Sequence, residues 1–198
     1  FGNAIVRRMF FRDHASDTYD EGGPAAPSAE LSPENQQRIA AAEGWLELGD
    51  SIEAATELNQ VSPVHHDHPA VLTLRWRMFA KAHDWKAACE VAETLSVLVP
   101  QIVEPQLLLA EAVRSVPNGG LPKALQLLVD AAPRFQHEPV IPFTIARYAC
   151  TLRRFKEAHR WWMTALTIAK QQGTDREWKR KALLEEDLQP LWREDVLP

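Results

Sequence analysis

The sequence predicts an all-α protein built from four antiparallel helix hairpins, and the main reason is an internal repeat. A small residue returns at intervals of 34, 36 and 34 positions, and bulky apolar residues return in the same phase. One position of the repeat is alanine in all four segments, at Ala54, Ala88, Ala124 and Ala158. A period of this length is typical of stacked helical hairpins, because each hairpin buries its apolar face only against its neighbours. Helix start and stop signals recur at the same phase of the repeat.

The composition excludes several classes of protein. Of 198 residues, 45% are hydrophobic and 25% are charged, as in ordinary globular domains. The net charge of -5 comes from both signs scattered along the chain, so we expect no nucleic-acid partner. The sequence has no apolar run of the roughly 20 residues that a membrane span needs, and Cys89 and Cys150 stand at non-equivalent repeat positions, which favours buried thiols. We therefore expect a soluble, cytoplasmic protein.

Residues 1–31 differ from the repeats, and we expect them to form an N-terminal arm. A short amphipathic helix is followed by a stretch rich in glycine, proline and acidic residues, which is typical of an extended linker. The apolar side chains that would anchor the arm are Ile5, Val6, Met9, Phe10 and Phe11. We predict that the arm docks on its own repeats or on a neighbouring chain. The alternative is a basic membrane-surface or transit-type helix, because three arginines precede the first acidic residue.

The repeat region spans residues 32–172, and its first two repeats cover residues 35–63 and 69–100. Ser32 suits an N-cap, Pro33 the first helical position, and Gly49 a helix end. A polar loop then leads to Pro69, which is another proline at a helix start. We predict helices over residues 33–48, 51–61, 69–82 and 85–98.

The third and fourth repeats cover residues 105–136 and 139–171. The turn at residues 117–120 contains the two additional residues of the 36-residue spacing. We predict helices over residues 104–116, 121–132, 139–152 and 155–171. Residues 173–198 are predicted to form a C-terminal cap, in which a charged helix over residues 177–186 covers the last apolar face and Trp192 packs beneath it.

The pattern resembles the tetratricopeptide repeat, a helix-turn-helix unit of 34 residues. Its small-residue position holds Ala42, Trp76, Ala112 and Ala146, and the following aromatic or small position holds Trp45, Phe79, Ser115 and Ala149. The alanine of the second helix is the most specific match, whereas Trp76 departs from the family pattern. The resemblance covers residues 35 to about 170. It implies a right-handed superhelix of four hairpins with a capping helix, as in bacterial-type tetratricopeptide proteins of unsettled role.

The resemblance also implies a peptide-binding groove, because in this family the first helix of each hairpin lines the concave surface. By register, the groove residues are Glu43, Leu46, Glu47, Thr73, Arg77, Lys81, Leu109, Val113, Phe143, Arg147 and Cys150. Arg77 and Arg147 would hold a carboxylate or phosphate through paired hydrogen bonds. The alternative is that both are solvated helix charges. Family members that clamp a chaperone C-terminus carry Lys and Asn where this chain has Ile39 and Glu43, so that clamp is absent.

Metal or catalytic chemistry is not indicated by any motif. His65, His66 and His68 are the candidate zinc ligands, but neighbours on one loop cannot all face one ion. The alternative is a polar loop between repeats, near the start of the next helix. The sequence has no G-x-S-x-G, no phosphate-binding glycine loop and no H-E-x-x-H, so we expect no enzymatic activity and no cofactor.

The aromatic residues allow two interpretations. They could stack on nucleic-acid bases, but their helical register favours filling the space between packed helices. We predict core packing for Trp76, Phe79, Trp85, Phe135, Phe155, Trp161 and Trp162.

These patterns together predict a non-catalytic scaffold that binds a peptide or protein segment in a groove. One alternative is a self-assembling module whose N-terminal arm fills its own groove or a neighbour's, giving a homo-oligomer. Another is the regulatory region of a larger enzyme.

Overall fold

The computed structural model describes residues 30–117 and 120–192, and all regular secondary structure in this part of the chain is helical, which confirms the predicted all-α class. It falls into two compact units that divide between residues 99 and 100. The first unit contains α1 (Pro33–Leu48), α2 (Ser51–Gln60), α3 (Pro69–Lys81) and α4 (Trp85–Leu98). The second contains α5 (Glu104–Ser115), α6 (Gly120–Ala131), α7 (Val140–Thr151), α8 (Phe155–Gln171), α9 (Asp175–Leu184) and a 3₁₀ helix (Glu186–Trp192). The predicted helix ends agree with these bounds within two residues.

Local sequence signals explain where the helices begin. The Ser32 hydroxyl accepts a hydrogen bond from the N–H of Asn35 at 3.2 Å and caps α1. Asp50 caps α2 by accepting hydrogen bonds from two main-chain N–H groups of the first turn, and Asp84 caps α4 by accepting from one. These side chains satisfy donors that the helix itself leaves unpaired. At the equivalent position before α8, Arg154 makes no capping hydrogen bond.

The turns inside the first, second and fourth hairpins share a backbone conformation. Gly49, His83 and Arg153 have φ angles of 96°, 57° and 59°, and the sequence spacing places them at equivalent positions. Glycine adopts this left-handed conformation without steric cost, whereas other residues pay roughly 1–2 kcal/mol for it. The second and fourth hairpins therefore keep the turn geometry at some cost in stability.

In the first unit, α1 packs against α2 and α3 against α4, while α1 and α3 also pack against each other. Its core includes Ala42, Leu58, Val71 and Met78, all fully buried. In the second unit, α5 packs against α6 and α7 against α8, with α6 in contact with α7. Short turns join α1 to α2, α3 to α4 and α7 to α8, as expected for helix hairpins.

The four alanines of the sequence repeat are all 0% exposed, in α2, α4, α6 and α8. An alanine lets two helix backbones approach closely, and a larger side chain would separate them. Of the aromatic residues predicted to pack in the core, four are buried and three are half-buried. The buried ones are Trp76, Phe79, Phe135 and Trp162, and the half-buried ones are Trp85, Phe155 and Trp161.

The C-terminal part of the second unit covers its last hairpin. The helix α9 has one buried residue, Ala182, and is otherwise largely polar, as predicted for a cap. It packs against α8, and the 3₁₀ helix after it packs mainly against α7. Trp192 lies edge-on to Trp162 of α8, with 6.0 Å between ring centroids.

Two predictions concern membranes and the arm. Across residues 30–117 and 120–192, no helix combines the length and the apolarity needed to cross a membrane.

The predicted arm anchors Ile5, Val6, Met9, Phe10 and Phe11 lie outside the described residues.

Candidate functional site

The predicted groove residues of the fourth repeat lie along one face of α7. Phe143, Arg147 and Cys150 are spaced by four and three residues, which places them on the same side of a helix. In the structure this face is covered by the chain itself. Phe143 contacts α9, whereas Arg147 and Cys150 contact residues 185–192, which we call the C-terminal segment.

Arg147 forms two ion pairs with the C-terminal segment. Its Nη2 donates a hydrogen bond to Oδ2 of Asp187 at 2.9 Å, and its Nε lies 3.0 Å from Oε2 of Glu185. The second contact is an ion pair without hydrogen-bond alignment, since within the described part of the chain this Nε has no hydrogen-bond partner. The three side chains are between 24% and 31% exposed, so solvent screens the pairs less than it screens fully exposed ones.

Phe143 belongs to the core of the second unit and does not line an open groove. It is 1% exposed, and Trp178 of α9 meets its ring edge-on with 5.1 Å between centroids. The ammonium group of Lys181 lies 5.3 Å from the centre of the same ring, a favourable cation–π distance. In this structure α9 covers the ring of Phe143, and its role in lining a groove stays a prediction.

The C-terminal segment is also held by apolar contacts. Leu188 and Leu191, three residues apart, are both 0% exposed and belong to the core of the second unit. Cys150 is 2% exposed beside them. Burial raises the pKa of the Cys150 thiol, the charge of Asp187 raises it further, and a hydrogen bond with the main chain of Leu191 opposes both effects. The thiol is therefore protonated and packed, as its sequence context predicts.

A second polar cluster on α5 and α7 involves Glu111, Arg114 and Tyr148. Arg114 Nη2 donates to Glu111 Oε1 at 2.6 Å, and the Tyr148 hydroxyl donates to Glu111 Oε2 at 3.4 Å. Burial, followed by the Glu111 charge, raises the pKa of Tyr148 to about 12, so the hydroxyl keeps its proton. Burial alone would lower the pKa of Arg114, but Glu111, Tyr148 and Asp187 raise it. Asp187 thus acts electrostatically on Arg114 as well as on Arg147.

In the first unit, the predicted groove residues form a charged face on α1 and α3 that is more exposed. Arg77 Nη1 lies 2.9 Å from Glu43 Oε1, with side chains 39% and 53% exposed. Lys81 Nζ donates to the main-chain carbonyl of Leu46 at 3.2 Å. That carbonyl belongs to the last turn of α1, where the helix dipole favours a cation. Leu46 itself is 7% exposed and contributes to the core.

The remaining predicted groove residues lie on α1, α3 and α5. Glu47 is exposed on α1, and Thr73 is half-buried on α3. Leu109 and Val113 are half-buried on α5, and Val113 packs against the core of the second unit.

The three histidines predicted as candidate zinc ligands each have a structural contact. Nδ1 of His65 lies 3.1 Å from the side-chain nitrogen of Asn35, and Nε2 of His66 lies 2.9 Å from the carbonyl of Val61. His68 caps α3 by accepting at Nδ1 from a main-chain N–H at 3.2 Å. Burial and the charge of His65 lower the pKa of His68. Within the described residues, no three His, Cys, Asp or Glu side chains are arranged to hold a metal ion.

Sequence reasoning missed Glu111, Arg114, Tyr148, Glu185 and Asp187. Arg114 could have been found, since it occupies the repeat position of Met78, a fully buried residue of α3. A charged residue at a buried position indicates a nearby partner. Glu185 and Asp187 lie beyond the last repeat, so the sequence spacing assigns them no contact.

Comparison with known proteins does not identify the chain. No protein-family model matches the sequence, and no curated protein matches it significantly.

Proposed function

We propose that this chain is a non-catalytic scaffold of the tetratricopeptide-repeat type. It binds an acidic, leucine-containing segment of a peptide or protein on the first helices of its hairpins. The observation that most supports the proposal is the contact of the C-terminal segment with α7. Two carboxylates of that segment meet Arg147, and two leucines are buried beside them. This contact illustrates the chemistry that such a helix face accepts.

The face that is best placed to take a partner lies on α1 and α3. Arg77 stands 70 residues before Arg147, at the same phase of the sequence repeat, but its carboxylate partner is the exposed Glu43. An exposed ion pair contributes only about 0–1 kcal/mol, so the carboxylate of a partner can replace Glu43 at low cost. Lys81 adds a second positive charge about one helical turn further along α3.

A peptide with the sequence of residues 185–192 is a suitable probe. We expect saturable binding of the fluorescein-labelled peptide to the full chain, measured by fluorescence anisotropy. Arg77→Glu should weaken binding about tenfold, because an attractive charge becomes a repulsive one. Glu43→Gln should strengthen binding, because it removes the competing carboxylate. A purely structural role of this ion pair would not give opposite signs for the two variants.

Arg160→Glu on α8 is the matched control, since Arg160 is exposed and the charge change is the same. It should leave the dissociation constant unchanged, and circular dichroism should show unchanged helicity for all three variants. Lack of saturable binding, or equal binding by the Arg77 and Glu43 variants, would contradict the proposal.

A further inference from the structure

The C-terminal segment leaves α9 through a break in the helix. α9 ends at Leu184, and the next residue, Glu185, has extended backbone angles, with φ -79° and ψ 115°. Leu183 and Leu184 are 61% and 77% exposed, and the Leu183 carbonyl accepts a hydrogen bond from the Gln189 side chain at 2.8 Å. The 3₁₀ helix after this break has weaker internal hydrogen bonding than an α-helix. The segment is held mainly by its contacts with α7, with smaller contacts to α8 and α9.

Those contacts combine charge and apolar burial in a short stretch. Glu185 and Asp187 meet Arg147, and Leu188 and Leu191 are fully buried. Glu186, between the two acids, is exposed. The face beneath the segment is the part of α7 that the resemblance to tetratricopeptide repeats assigns to the groove in the fourth repeat.

We propose that the C-terminal segment is an intramolecular ligand that covers the Arg147 face of α7, and that a partner segment of the same chemistry competes with it. This inference rests on the proposed function, because it assumes that first helices bind acidic, leucine-containing segments. The competing segment carries two carboxylates separated by one residue, followed by two leucines three residues apart. The chain thereby regulates access to its own binding face.

Tethering makes the chain's own segment a strong competitor. A short linker gives a tethered group an effective concentration in the millimolar range. The apparent dissociation constant for an external segment equals the intrinsic constant divided by the fraction of molecules whose Arg147 face is open. Binding of an external segment at Arg147 should therefore be weak until the internal contacts are loosened.

The test uses the full chain in an Arg77→Glu background, so that the first-unit face does not contribute. The probe is the labelled peptide with the sequence of residues 185–192, and a scrambled peptide controls for composition. Glu185→Gln with Asp187→Asn should increase its affinity about tenfold, because the internal segment loses its ion pairs while Arg147 remains. Adding Arg147→Gln should then abolish that gain.

Glu186→Gln is the matched control, because it removes a charge from the same segment without touching Arg147, and it should leave the affinity unchanged. No gain in the double variant, or a gain that survives Arg147→Gln, would overturn the inference. If binding in the unsubstituted chain depends on Arg77 but this gain is absent, the proposed function stands and only autoinhibition fails.

Hydrogen exchange on the unsubstituted chain gives a second test, and its result does not depend on whether a variant folds. Saturating probe peptide should accelerate amide exchange in residues 185–192 and leave α7 protected, since one segment replaces another on that helix. Unchanged exchange of residues 185–192 at saturation would show that the segment is a fixed structural cap, which overturns the inference.

Discussion

The second and fourth hairpins carry an arginine at the same repeat position, but the two arginines differ in their ion-pair partners and in their exposure. Arg77 on α3 faces one carboxylate, Glu43, and both side chains are more than a third exposed. Arg147 on α7 faces Glu185 and Asp187, and all three side chains are less than a third exposed. The position of an arginine in a helical repeat is thus set by the spacing, whereas its accessibility is set by the part of the chain that lies beyond the last repeat.

The comparison extends to the turns and to the helix starts. The turn of the second hairpin ends in Asp84, which caps α4, whereas the fourth ends in Arg154, which does not cap α8. His68 caps α3 through its ring, while α7 begins after Pro139 without a side-chain cap. The fourth hairpin lacks these local stabilising contacts but gains a cover from the C-terminal segment.

The largest expected effect comes from the cover. Leu188→Ala should lower the free energy of unfolding by about 2–5 kcal/mol, because it removes a fully buried side chain and leaves a cavity. Chemical denaturation measures the change. Leu184→Ala, at a position that is 77% exposed, is the control and should change stability by less than about 0.5 kcal/mol. Equal effects would show that the segment does not pack as described.

The equivalent buried alanines of the two hairpins should respond alike to overpacking. Ala88→Leu on α4 and Ala158→Leu on α8 should each cost about 1–3 kcal/mol, since both alanines are fully buried where a larger side chain overpacks the helices. Thermal melts check this. An unchanged melting temperature for either variant would mean that the two hairpins do not share one packing register.

The two arginines should differ in their contribution to stability. Arg147→Gln should cost about 1–2 kcal/mol, because it breaks a charged hydrogen bond and leaves two half-buried carboxylates unpaired. Arg77→Gln breaks a more exposed pair and should cost less than about 1 kcal/mol. Urea denaturation of both variants tests the difference, and a larger cost at Arg77 would reverse the comparison.

The missing cap before α8 can be supplied. The backbone of Arg154, with φ -88° and ψ 60°, is close to that of Asp84, with φ -84° and ψ 71°. Arg154→Asp should therefore stabilise the protein by about 1 kcal/mol, because the new carboxylate accepts hydrogen bonds from main-chain N–H groups of the first turn. The ion pair of Arg154 with Glu157, at 3.6 Å, is lost in exchange. Asp84→Ala should shift stability by a similar amount in the opposite direction, and thermal melts of both variants measure the two shifts.

The smallest effect concerns pH and the second hairpin alone. The fold lowers the pKa of His68 from 6.5 through burial and the charge of His65, so the folded state favours the neutral ring that caps α3. This contribution is complete above pH 6.5 and is lost as pH falls through the lowered pKa. His68→Asn caps without titrating, so it should reduce the stability lost between about pH 7.5 and 5.5 by under about 1 kcal/mol.

Much of the fold could be predicted because it depends on local signals. Ser32, Pro33 and Gly49 mark the ends of α1 whatever surrounds them, and the spacing of Ala54, Ala88, Ala124 and Ala158 places four buried positions. The Glu43–Arg77 pair also agrees with the spacing, since its residues are 34 positions apart, one repeat. Phe143 lies on a predicted helix, but the spacing could not indicate that Trp178 and Lys181 cover its ring, because both lie outside the repeats.

The sequence by itself thus determined the helices, their ends and the phase in which they pack, since capping and periodic burial act over a few residues. Only the tertiary structure decided which helix face is open. Arg147 and Asp187 are 40 positions apart, which is no multiple of the repeat, and their contact depends on how the chain turns back after α9. The sequence repeat cannot predict this turn. The ion pairs and the buried leucines of the C-terminal segment depend on the three-dimensional path of the chain.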